Sequence, residues 1–103
     1  MLHWEMKHPQ ASMGMLGYLP HFIHESNPKS AKEQIHDNYG HGGGWKSFKG
    51  FKMRADGNLT YPGDPPTQLI AEAKLRDETI RFYEHAWVAI VQKDGTFEVA
   101  RID

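Results

Sequence analysis

The stretch "LIAEAKLRDETIRFYEHAWVAIVQKDGTFEVARID" (69–103) decides the fold. Leu69, Ala71, Ala73 and Leu75 alternate with polar residues at period two. Ala, Glu, Lys and Leu also suit a helix, so the segment has two readings, of which the strand is preferred. Asp77-Glu78 then turns the chain into Ile80-Arg81-Phe82-Tyr83, a second strand. Residues 86–91, "AWVAIV", form a nearly continuous apolar run, the pattern of a strand covered on both faces. An edge position, where the run would serve as an oligomer interface, is the weaker reading. Lys93-Asp94-Gly95 is a hairpin turn, after which Phe97, Val99 and Arg101 alternate with Glu98, Ala100 and Ile102 in a closing strand. This is an antiparallel meander.

Upstream lies the best helix signal. Ser30-Ala31-Lys32-Glu33 matches the capping box, in which the serine hydroxyl accepts from the N3 amide and the glutamate reaches back to the cap. Asn27 before Pro28 offers a competing start. From either start Ala31, Ile35 and Tyr39 fall on one stripe, and Gly40 stands where a helix of about 29–39 would end. The expected fold class is therefore α+β: an antiparallel sheet of four to five strands with one helix packed on it.

The 103 residues suffice for one domain with a small core. Residues 1–15 show no clean period and read as a loose leader, with Met13 and Met15 as alternative starts; residues 16–103 read as the domain. Gly17-Tyr18-Leu19 before Pro20 has the form of a short edge strand, and Leu59-Thr60-Tyr61 after the Asp56-Gly57-Asn58 turn that of another. In "YPGDPP" (61–66) three prolines stiffen a loop. Between these, Trp45, Phe48 and Phe51 recur every third residue, as do Lys46, Lys49 and Lys52. A period of three fits neither strand nor α-helix, so 45–53 is expected to be an irregular or polyproline-like wrap.

Composition narrows the function. With no cysteine there is no disulfide, thiolate nucleophile or cysteine-type zinc site. No apolar run approaches a membrane span, and the first residues lack the apolar core of a signal peptide. A cytoplasmic protein, with no membrane partner, is the expectation. The net charge of −1 divides into +3 over residues 1–54 and −4 over 55–103, a polarity that orients a partner but lacks the basicity of a dedicated nucleic-acid binder.

Four chemistries compete for the motifs. His41-Gly42-Gly43-Gly44-Trp45 looks like the oxyanion loop of lipases and esterases, yet no serine sits in a G-x-S-x-G elbow. The loop also closes a helix rather than opening one, which argues against a phosphate cradle. A helix stop and flexible turn delivering Trp45 to the sheet explains it better; Trp45→Ala is then destabilising and His41→Ala nearly silent. His21 and His24, with His36, His41 and His85, are the raw material of a metal site, but H-E-x-x-H is absent and no metal or other cofactor is expected. His41 with His36 or His85, and Asp64 beside the prolines, form a distant hydrolase possibility that nothing in the sequence brings together.

The remaining candidate is "WKSFKGFKMR" (45–54), where Trp45, Phe48 and Phe51 interleave with Lys46, Lys49, Lys52 and Arg54. Rings stack on bases while cations meet phosphates, so single-stranded nucleic acid is one reading. The fragment Phe48-Lys49-Gly50-Phe51 faintly resembles the RNA-reading motif of RRM and cold-shock domains, from which it departs at Lys52 and by lacking a second aromatic motif. The alternative buries the rings beneath a solvated lysine row. No nucleophile–base set survives, so a non-enzymatic module binding a macromolecule, a protein ahead of a nucleic acid, is the leading expectation, as a monomer or weak homodimer.

Taken together, "NYGHGGGW" (38–45), Gly50-Phe51, "YPGDPP" (61–66), the "AWVAIVQ…DG…FEVAR" pattern (86–101) and the terminal Asp103 resemble a set of short uncharacterised proteins encoded by phages and prophages of proteobacteria. The resemblance implies a cytoplasmic accessory protein. It carries no activity onto any residue of this chain.

Overall fold

The computed structural model describes residues 5–6, 23–38 and 47–101. Along the chain these form β1 (Glu5–Met6), α1 (Ala31–Asn38), β2 (Ser47–Phe48), β3 (Lys52–Met53), β4 (Leu59–Thr60), β5 (Leu69–Leu75), β6 (Glu78–Tyr83), β7 (Trp87–Val91) and β8 (Phe97–Arg101). The fold is α+β. Strands β5 to β8 make the expected antiparallel meander, extended at both ends by two-residue strands in the order β1-β5-β6-β7-β8-β2, while β3 and β4 form a separate ribbon. The stretch 17–19 and the loop 39–46 lie outside the described residues, with His41, Gly42, Gly43, Gly44, Trp45 and Lys46. Within residues 1–15, Glu5 and Met6 pair with Glu72 and Ala71.

The 69–75 ambiguity resolves as a strand because β6 supplies a ladder along its whole length, running from Leu69↔Tyr83 to Leu75↔Glu78. Its alternation is interrupted by an irregularity between Leu69 and Ala71. An extra residue reverses the phase of the pleat. Ile70 and Ala71 accordingly both join the helix-side core with Ala73 and Leu75, while Leu69 joins the other side. The turn after β5 is Arg76-Asp77 rather than Asp77-Glu78, so Glu78 opens β6. Arg76 there has φ 56°, unfavourable for a residue with a Cβ. Its guanidinium donates to the Glu25 and Lys29 carbonyls, which ties the segment before the helix to the sheet.

Strand β7 is central, its Trp87–Val91 run flanked by β6 and β8. Period two sends Val88 and Ile90 to one face and Ala89 to the other. On the first face Ile23, Ala31 and Ile35 pack against Ile80, Phe82 and their neighbours. Ser30 caps α1 as the capping box requires: its hydroxyl accepts from Glu33 N–H at 3.2 Å, and its own N–H donates to the Glu33 carboxylate at 3.4 Å. The Ala31 amide, otherwise an orphan of the first turn, donates to Glu78 on the sheet at 3.1 Å. Gln34, 1% exposed, accepts from His24 N–H and donates to the carbonyls of His24 and Lys29. That buried amide organises the loop which the apolar stripe alone leaves undetermined.

The β3–β4 ribbon covers part of the second face. Asn58 N–H donates to Asp56 Oδ1 at 3.0 Å, and Gly57 turns the chain at φ +88°. Two contacts pin this turn to the sheet: the buried Tyr83 hydroxyl donates to the Gly57 carbonyl at 2.6 Å, and Leu69 N–H donates to Asn58 Oδ1 at 2.9 Å.

Candidate binding face

Of the expected irregular wrap over 45–53, the described residues 47–53 contain two short strands in different sheets. Ser47 and Phe48 pair with Ala100 and Val99 of β8, whereas Lys52 and Met53 pair with Thr60 and Leu59. Gly50 changes the direction between them at φ +97°, where a Cβ would lie 3.0 Å from the Tyr61 ring. The period of three thus records a strand, a sharp turn and a second strand rather than one regular conformation.

This path builds an aromatic row on the second face. The Phe48 ring meets Trp87 edge-on, with centroids 5.1 Å apart and planes at 87°. Phe51 lies 4.8 Å from the same indole at 56° and meets Tyr61 at 5.2 Å and 61°. Such tilted and edge-to-face pairs contribute beyond their buried area. The Arg101 guanidinium stands 5.6 Å from the Trp87 centroid, a cation–π distance that follows from the direct pairing of Trp87 with Arg101 across the ladder. Exposure divides the row. Phe51 and Trp87 are half-buried, whereas Phe48 and Tyr61 are 37% and 44% exposed.

The cations take different positions. Lys49 and Lys52 are exposed and form no ion pair among the described residues, while Arg54 lies 3.6 Å from Asp56. Lys32 and the Ser47 hydroxyl both engage Glu98, on the helix side of β8. Where β2 leaves β8, a groove of ≈ 320 Å³ opens, with Phe48, Lys49, Phe51, Phe97 and Val99 in its walls.

Other candidates scatter. Asp64 is exposed in the proline loop, where its N–H closes a turn onto the Tyr61 carbonyl. His36 lies on the exposed side of α1 beside Asp37, His24 stands next to Gln34, and His85 occupies the β6–β7 turn at φ 63°. Among the described residues no three acidic or imidazole groups gather as metal ligands. A second depression of ≈ 460 Å³ contains Asp56, Glu72 and Arg81, but Arg81 is committed to Glu72 at 3.0 Å and to the Met53 sulfur at 3.3 Å.

Sequence reasoning named Phe48, Lys49, Phe51, Lys52 and Arg54 but missed Trp87, Tyr61, Phe97 and Arg101. The signal lay in the alternation of β7 and β8, which sends Trp87, Phe97 and Arg101 to one side. Without the register of β2 nothing joined that side to Phe48. No helix among the described residues is long and apolar enough to cross a membrane. No protein-family model matches the chain, and neither a curated protein nor a solved structure matches it.

Proposed function

We propose that this chain is a non-enzymatic binding module that engages a macromolecular partner through the aromatic row of Phe48, Phe51, Tyr61 and Trp87. One observation carries the reading: the large apolar side chains exposed among the described residues, Phe48 and Tyr61, belong to the same connected row. Solvent-facing aromatics on a firm scaffold are the usual anchors of interfaces. The partner we favour is a protein. Bases stack on open, parallel ring faces. Here the indole is met by Phe48, Phe51 and Arg101, so the rings offer edges and apolar flanks instead. A cytoplasmic accessory role, of the kind the resemblance to phage and prophage proteins implies, accords with this reading.

The test is comparative capture from a bacterial lysate with wild-type protein and with Phe48→Ser and Tyr61→Ser, each first shown to be folded by circular dichroism. A partner retained by the wild type and lost from both variants supports the proposal. A partner held equally by all three places the interface elsewhere and refutes it.

A further inference from the structure

We infer that the groove between β2 and β8 receives an extended, acidic peptide segment, which adds beside β8 and places one apolar side chain between Phe48, Phe51 and Phe97. This rests on the binding role proposed for the aromatic row and names the partner's chemistry. Three independent features of the groove converge on it.

The first is an open stretch of main chain. Gln92 N–H donates to the Thr96 carbonyl at 2.7 Å, and Val91 stands opposite Phe97. In an antiparallel ladder, hydrogen-bonded pairs alternate with non-bonded ones, so the main-chain groups of Phe97 point away from β7. On that side β2 covers only Val99 and Ala100, because it ends at Phe48 and turns off at Gly50. Phe97 is left with no strand opposite it among the described residues. An extended segment continuing the line of β2 meets a donor and an acceptor there, the geometry of strand addition.

The second is the volume and character of the walls. At ≈ 320 Å³ the groove is roomy for one side chain, since a cavity of about 150 Å³ already admits a benzene ring. Phe48, Phe51, Phe97 and Val99 line it, and Phe97 and Phe51 flank the sheet core rather than filling it. The third is charge. Lys49 is part of the wall and Lys52 follows three residues later; neither has a carboxylate partner among the described residues. Glu98 also lines the groove, where Lys32 and the Ser47 hydroxyl already engage its carboxylate. An acidic segment therefore meets Lys49 as the uncompensated charge of the wall and a Glu98 already neutralised by Lys32, which favours acidic over basic sequences.

The experiment is a titration of the full ¹⁵N-labelled chain, followed by amide NMR shifts, with the synthetic peptide acetyl-Glu-Asp-Phe-Asp-Glu-Glu-amide. Saturable shifts centred on 47–51 and 97–99 are expected. They should weaken about tenfold with Lys49→Glu, an exposed change that leaves the spectrum's dispersion intact. The same peptide with lysines in place of its acids should give none. Absence of shifts, shifts indifferent to Lys49→Glu, or stronger shifts of these same amides by oligothymidine would each overturn the inference, the last in favour of single-stranded nucleic acid. If the peptide is silent while a captured partner is still lost from Phe48→Ser, only the peptide chemistry fails and the binding face stands.

Discussion

Tyr83→Phe is the most informative single-atom change in this fold. The hydroxyl is buried at the end of β6, and its 2.6 Å bond to Gly57 holds the β3–β4 ribbon, with Phe51 just before it, over the sheet. Phenylalanine keeps the ring and its packing but leaves the buried Gly57 carbonyl without its donor. An orphaned buried acceptor costs about 1–3 kcal/mol. At roughly 4–8 °C per kcal/mol for a domain near this size, a cost in the middle of that range lowers Tm by about 8–16 °C. A second signature comes from pH. Burial holds the Tyr83 hydroxyl neutral well above its ordinary value of 10.0. Its pKa is thus raised on folding, so its contribution is complete below pH 10 and is lost as pH rises beyond it, when only the unfolded chain releases the proton. That loss approaches about 1.4 kcal/mol per pH unit. Urea denaturation of both proteins between pH 7 and 11 measures the two effects together. Wild type should be the more stable at pH 7, with the gap narrowing above pH 10. Equal stability at pH 7, or parallel decline above pH 10, would show that the hydroxyl does not pin the ribbon.

Other changes test separate parts of the structure. Gln34→Leu strips the loop before α1 of its amide partner and should cost about 2–4 kcal/mol in urea denaturation, because several main-chain groups lose their bonds at once. Gly50→Ala places a Cβ 3.0 Å from Tyr61 at a φ of +97°; a loss of about 1–2 kcal/mol is expected, with altered tyrosine ring shifts in NMR spectra. The Asp94 carboxyl is held below its ordinary value of 3.8 by the Thr96 hydroxyl and N–H. A depressed pKa gives stability that is present above that value and fades as pH falls through the folded one, so the protection of the Thr96 amide relative to its intrinsic exchange rate should fall below about pH 4 in wild type and not in Asp94→Asn.

Much of the fold was legible because local signals agreed with one another. The Asp77-Glu78 turn set off β6, the apolar run 86–91 placed β7, alternation placed β8, the Lys93-Asp94-Gly95 turn joined the last pair, and the Ser30–Glu33 box placed the start of α1. What escaped depended on contacts between distant segments. The slip in β5 has no mark in the sequence, since Leu69, Ala71, Ala73 and Leu75 alternate perfectly until the ladder with β6 shifts their phase. Gln34, a polar residue off the Ala31–Ile35 stripe, is 1% exposed, and only the fold of the loop before α1 accounts for its burial. The site was half visible: the aromatic–lysine spacing drew attention to 45–54, but the reversal at Gly50 and the register of β2 decide which rings meet. Trp87, read only as part of a buried run, became the centre of the row because alternation turns it from the helix-side core towards Phe48 and Phe51.

The central claim is that binding energy is concentrated in the exposed ends of that row. Isothermal titration calorimetry of the captured partner against wild type and the Phe48→Ser/Tyr61→Ser double variant tests it most directly. The account predicts a loss of affinity of about thirtyfold or more, since two anchors contribute over about 1 kcal/mol each. Unchanged affinity in a folded double variant would contradict it.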